Sequence, residues 1–173
     1  LDREHGYVDA VVTDITDRKK AEEELRKAHE RFELAVRGSD AGLFDWDCTT
    51  DRVYFSPRWK SLLGYEDAEI GNLFSEWETR LHPDDRERAE ATIKDFLQSD
   101  SSTFELEHRL RCKDGNYRWI LAHGAALRDE RGKPYRLTGS HIDITDRKRA
   151  EESLRESEEK LRRLIELTSD VVW

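Results

Sequence analysis

His82, His108, His123 and His141, the cysteines Cys48 and Cys112, and the adjacent Asp84 and Asp85 are the side chains here best suited to chemistry. Histidine and cysteine could ligate a metal, and neighbouring carboxylates could share a proton. Their spacing argues against both uses. Each cysteine stands alone, with no CxxC and no histidine at ligand spacing, so free thiols in a reducing compartment are expected. No second ligand falls at helix or hairpin spacing from any histidine, so no metal is expected. Asp84 and Asp85 follow His82-Pro83, where proline and acids open a helix, and His82 is a turn residue. A glycine-rich phosphate loop, a nucleophile elbow and the active-site signatures of a kinase are all missing from the sequence. No catalytic residue is assigned.

The elements that would position these groups follow from the apolar periodicity. Residues 18–36 read as a helix, with Leu25, Ala28 and Phe32 on a narrow seam. Ala150, Leu154, Leu161 and Leu164 repeat that rhythm in a second helix. Glu23–Lys27, Glu151–Arg155, Glu158–Arg162 and Glu159–Arg163 have the spacing of helix-supporting ion pairs. Gly42 to Asp47 alternates, Arg52 to Ser56 is β-prone, and the turn Thr49-Thr50-Asp51 joins them as a hairpin. Pro57 opens a short helix through Trp59 that Gly64 stops, residues 66–81 form helical turns carrying Trp77, and His82 starts a longer helix. Three strands follow. Thr103 to Arg111 sets Phe104, Leu106, His108 and Leu110 against charged neighbours, so His108 points inward. The Asp114-Gly115 turn leads to Tyr117–Leu127, and Tyr135–Asp143 is the last strand. Two strands, a helical block and three strands imply an α+β fold: a five-stranded antiparallel sheet with helices on one face, flanked by linker helices.

The chain also repeats itself. Asp14-Ile15-Thr16-Asp17-Arg18-Lys19 recurs as Asp143-Ile144-Thr145-Asp146-Arg147-Lys148, each copy followed by Ala-Glu-Glu-x-Leu. So long an interval fits a whole domain repeating in tandem, not a solenoid. The expected organisation is the tail of an upstream domain at 1–17, a linker helix at 18–37, a complete domain at 38–145, an exit helix at 146–166 and the start of a further domain at 167–173. The 173 residues carry a net charge of −9, which argues against a nucleic-acid partner. No apolar run approaches membrane-spanning length, and the opening Leu1-Asp2-Arg3-Glu4 is not signal-peptide-like. A cytoplasmic setting is expected, without membrane contact by this segment.

Residues 32–147 resemble a PAS domain with its PAC motif. The resemblance is carried by Gly42-Leu43-Phe44-Asp45-Trp46-Asp47, by Ser56-Pro57-Arg58-Trp59 through Leu63-Gly64-Tyr65, and by Leu81-His82-Pro83-Asp84-Asp85-Arg86. Phe104 to Arg111, Lys113-Asp114-Gly115, Tyr117-Arg118-Trp119-Ile120 and Gly139 to Arg147 complete it. It implies a multi-domain bacterial sensor protein of the histidine-kinase or diguanylate-cyclase type, as in two-component systems. It also implies a ligand pocket between the sheet and the helical block. The candidates to line it are Phe44, Trp46, Trp77, Leu106, His108, Leu110, Ile120, Ala122, Gly139 and His141. The flavin mode of the family needs a cysteine in residues 57–98, which hold none, and asparagines where Leu110 and Ile120 stand. The haem mode needs a histidine in the long helix, and residues 83–99 have none. Flavin and haem are therefore disfavoured, and no cofactor is expected, although a small-molecule ligand is compatible.

Ile120, Ala122, Gly124 and Gly139 are turned inward by the resemblance, and three of them are small, which favours a cavity. The competing reading is a core closed by Trp46, Trp77 and Phe104. Tyr117, Trp119, Leu121 and His123 would face outward and need cover. That cover is expected from a partner subunit or from the helix 18–36 through Phe32 and Val36. The signal-coupling residues are Asp143, Ile144 and Thr145: Asp143 or Thr145 can cap the exit helix, and the family's aspartate tethers that helix to the core. The expected function is a sensory and signal-relay module that is not itself an enzyme. Its partners would be a second copy, paired through the linker helices, and neighbouring PAS and output domains. The alternative is a ligand-free dimerisation and spacer module.

Overall fold

The computed structural model describes residues 15–169. Most of the expected upstream tail and the last residues of the expected downstream start lie outside them. The chain divides after Ser39 into two units. The first contributes one described helix, α1 (Thr16–Ser39), which buries none of its residues. Arg18–Glu22 at 2.8 Å and Glu23–Lys27 at 3.4 Å brace it along its length. Within that unit Phe32 is exposed.

The second unit holds the sheet: β1 (Gly42–Asp47), β2 (Arg52–Phe55), β3 (Thr103–Arg111), β4 (Tyr117–Arg128) and β5 (Pro134–Asp143). The strand order is β2-β1-β5-β4-β3, with antiparallel neighbours throughout. First and last strands thus meet at the centre, with Gly42 opposite His141. Between β2 and β3 run α2 (Pro57–Leu62), a 3-10 turn at Asp67–Glu69, α3 (Ser75–Glu78) and α4 (Pro83–Gln98). The exit helix α5 runs unbroken from Thr145 to Ser169. Among the described residues no helix is long and apolar enough to cross a membrane.

Local chemistry sets the boundaries. Ser56 caps α2 by accepting from the Trp59 amide, Pro57 fills the first turn, and Gly64 ends the segment at φ +80°. Asp47 Oδ1 accepts from the amides of Thr49 and Thr50 and closes the β1–β2 turn. His82 Nδ1 accepts from the Asp84 amide and caps α4. Arg155 pairs with Glu152 rather than with the expected Glu151, because Glu151 lies beside Arg147 and Lys148.

The core lies between the sheet and α2–α4. Trp59, Leu63, Leu110, Ile120, Leu137 and His108 are its largest fully buried side chains. The facing glycines Gly124 and Gly139 sit under phenylalanine rings. A Cβ on Gly124 would lie 2.2 Å from Phe104 Cε1, and one on Gly139 would lie 2.6 Å from Phe44 Cζ and 2.1 Å from the His123 carbonyl oxygen. The room these small residues leave is taken by Phe44 and Phe104. On the outer face, Trp119 and Leu121 are half-buried while Tyr117 and His123 are exposed. Arg109 and Lys148 lie over the Trp119 ring at 5.1 and 5.3 Å, and His82 meets Tyr117 edge-on.

Candidate functional site

Four polar rings meet across the core. His108 from β3 and His141 from β5 stand 5.4 Å apart, edge to face. The helical block supplies one tryptophan to each. Trp59 Nε1–H donates to His141 Nδ1 at 2.8 Å, and Trp77 Nε1–H donates to His108 Nε2 at 2.9 Å. A buried indole N–H needs an acceptor, and only a neutral imidazole can offer one here. Each tryptophan therefore sets a tautomer: the proton sits on Nε2 of His141 and on Nδ1 of His108. Burial pushes the His108 pKa down to about 4 and that of His141 well below the usual histidine range, where the neighbouring His108 lowers it further. Both imidazoles are neutral at physiological pH.

Beside them is a cavity of about 40 Å³. Of the residues read from the sequence, Phe44, Trp46, Trp77, Leu106, His108, Ala122 and His141 line it. Leu110, Ile120 and Gly139 do not. Leu110 bridges to Leu81 and Ile120 pairs with Asp143, both toward the end of the sheet where α5 leaves. Gly139 is capped by the Phe44 ring. Val53, Phe55, Phe74, Ile93, Phe104 and Leu137 line it without having been read as pocket residues. The alternation of β2 would have pointed to Val53 and Phe55. Trp59 was read as a helix residue only, and the need of a buried indole for an acceptor was the signal that tied it to a histidine.

The cavity does not fit haem or flavin, since sites for such groups run to several hundred Å³. The positions that would bond a flavin carry Leu110 and Ile120, and His141 is engaged by Trp59. Among the described residues no cluster of three or more His, Cys, Asp or Glu could hold a metal. Cys48 and Cys112 are free, and burial pushes both thiols up, away from the reactive thiolate.

A second polar arrangement crosses the outer face. Asp85, read as a helix-start residue, is buried and accepts from Arg109 through Nε at 2.8 Å and Nη2 at 2.9 Å. Burial raises the Asp85 carboxyl, but the Arg109 hydrogen bonds outweigh it and hold the group below the usual range. From Arg109 the contacts run over Trp119 to Lys148 on α5, which meets Glu107. At the root of α5, Asp143 Oδ1 accepts from the amide and hydroxyl of Thr145 at 2.9 and 2.5 Å. Thr145 Oγ1 accepts from the Trp119 amide at 3.0 Å, and Ile144 is buried with its amide bonded to the Trp119 carbonyl. Arg118 donates to the other Asp143 oxygen at 2.9 Å. The seam residues Leu25, Ala28, Phe32, Ala150, Leu154, Leu161 and Leu164 are all exposed on the single chain.

A family model described as PAS fold matches residues 52–141. The chain is 30% identical to the probable diguanylate cyclase DgcE of Escherichia coli over 96% of its own length, and 30% identical to the sensor protein FixL of Bradyrhizobium diazoefficiens over 83%. It spans only 15% and 28% of those two proteins. A crystal structure of a sensory box histidine kinase/response regulator from Burkholderia thailandensis is 46% identical to it. The match has a TM-score of 0.69 and covers 77% of this chain and 98% of that one.

Proposed function

Because the chain belongs to the PAS-fold family, whose domains are sensory modules of signal-transduction proteins and normally not catalytic, we propose that it relays a signal from its core to α5 as part of a longer bacterial sensor. The observation that carries this reading is the root of α5. Asp143, Ile144 and Thr145 bind the helix to β4 through the Trp119 backbone, while Glu107 binds its first turn to β3. A shift of one strand against another would therefore reach the helix directly. The relatives named as a diguanylate cyclase and a histidine kinase/response regulator support an output domain of one of those kinds elsewhere in the parent chain. The two free cysteines agree with a reducing cytoplasm.

The output end of the relay is a homodimer along the linker helices. Leu154 and Leu161 are 61% and 57% exposed on a narrow seam, as coiled-coil positions are before they pair. Sedimentation of the chain and of Leu154→Glu/Leu161→Glu across a concentration series tests this. The parent sequence is expected to form a weak dimer and the double variant a monomer. Equal dimer affinity would remove the helix-pairing basis of the relay. The small cavity favours one competing reading, a ligand-free dimerising spacer. In that case the core responds to no added solute.

A further inference from the structure

We propose that α4 acts on α5 through a bridge of side chains on the outer face of the sheet, Asp85–Arg109–Trp119–Lys148. In it Asp85 and Arg109 are positioning residues for the start of α5. This deepens the relay reading and rests on it. It names α4 as the element that carries the state of the core to the exit helix, beside the bonds at Asp143–Thr145.

The two helices converge on one strand. β3 lies at the edge of the sheet, so its outer backbone groups have no strand to pair with. Side chains of α4 take that place. Asp85 Oδ2 accepts from the Arg109 amide at 2.9 Å, and Arg88 Nη2 donates to the Glu107 carbonyl oxygen at 2.7 Å. α5 holds the same two residues. Lys148 and Arg147 meet the Glu107 carboxylate, and Lys148 shares the Trp119 ring with Arg109.

The joint at Asp85 is stiff. Its carboxylate is buried and receives Arg109 through the amide at 2.9 Å, Nε at 2.8 Å and Nη2 at 2.9 Å. An exposed ion pair would let α4 slide, whereas a buried fork holds the guanidinium in one geometry. Trp119, next in the bridge, is also the residue whose amide and carbonyl hold Thr145 and Ile144. A displacement of Arg109 thus reaches the root of α5 as well as Lys148. On its inner face α4 buries Ala89, Ile93 and Phe96, so a rearrangement of the core moves Asp85 with the same helix.

Amide exchange of the whole chain tests the bridge, read at residues 148–151 of α5. Asp85→Asn should raise exchange there about threefold, the lower end of coupling within one network. In a Trp119→Leu background, which keeps the backbone bonds of residue 119, the same substitution should add nothing. A merely structural role would lower the melting temperature in both backgrounds and leave no such dependence. Coupling is reciprocal, so Lys148→Met, which removes the charge and keeps an apolar stem, should quicken exchange of the Arg109 Nε proton. That variant decides the question if either of the others fails to fold. The bridge is overturned if Asp85→Asn leaves α5 unaltered or acts equally in both backgrounds, or if Lys148→Met leaves Arg109 unaltered. Coupling in a chain that sediments as a monomer would support the bridge and count against the paired output end alone. A normal dimer without coupling would overturn the bridge alone.

Discussion

Glu107, in the middle of β3, meets Lys148 Nζ of α5 at 2.5 Å, and the same carboxylate accepts from Arg147 at 2.5 Å. Two successive cations of one helix thus close on one acid of the sheet. The Lys148 hydrogen bond, joined by the Arg147 contact, outweighs burial and holds the Glu107 carboxyl below its usual range.

Glu107→Gln should loosen the start of α5 without unfolding the domain. Half-exposed ion pairs contribute at most about 1 kcal/mol each, so the melting temperature should move little. Amide exchange in the first turn of α5 should rise several-fold. Because the folded carboxyl titrates low, the contact is complete above the ordinary glutamate range and fades as pH falls through the depressed value. Unchanged exchange at neutral pH would show that the Thr145–Trp119 bonds hold the helix root alone.

Acid should weaken the core before it reaches the carboxylates. The unfolded chain protonates its histidines near pH 6.5, whereas folded His108 resists until about pH 4 and burial holds His141 well below its ordinary value. The unfolded state then binds more protons. Stability is full above about pH 6.5 and falls as pH drops toward 4, by up to about 3 kcal/mol for a group shifted this far. Asp85 and Arg88 act on His108 in opposite senses, and His108 acts on His141. Urea titrations at several pH values measure the slope, and His108→Gln, which keeps an acceptor for Trp77, should flatten it. An equally steep slope in that variant would place the acid sensitivity elsewhere.

Two glycines should separate packing from backbone strain. Gly139→Ala drives a methyl group into the His123 carbonyl and the Phe44 ring, and overpacking of this kind costs about 1–3 kcal/mol or more. Gly115→Ala has open space around its Cβ but a φ of +87°, which costs about 1–2 kcal/mol by strain alone. Thermal melts should show both losses. A shift of the Phe44 and His141 ring signals is expected for Gly139→Ala only.

The purified chain should be colourless, without stoichiometric haem or flavin bands in the visible spectrum. The small cavity and the side chains at Leu110 and Ile120 are the grounds. A stoichiometric chromophore would mean that the helical block swings away from the sheet.

Alternation and turn chemistry made most of the sheet legible in the sequence. Asp114-Gly115 marks a turn, and β3 alternates so cleanly that the inward aim of His108 follows from its neighbours. The partners of His108 did not follow, because Trp77 lies 31 positions away on a helix of four residues. Trp59 and His141 are 82 apart. Local pattern shows which face a side chain occupies, while hydrogen bonds between distant elements depend on how helices dock. Asp85 shows the same limit. Its place in the first turn of α4 was enough to explain it, and its grip on Arg109 emerged only when β3 was brought beside that helix. The glycines left two readings open for a related reason: a missing side chain shows that space is needed, not what fills it.

The pairing of Gly42 with His141 has a mechanical and an evolutionary consequence. The chain enters the sheet and leaves it from the same end of two adjacent strands, roughly 5 Å apart. Tension between flanking segments would peel the β1–β5 ladder one hydrogen bond at a time, as a zipper opens, and would not load all its bonds together. The same closeness lets a gene gain or lose the whole unit, because excising it leaves cut ends that nearly touch.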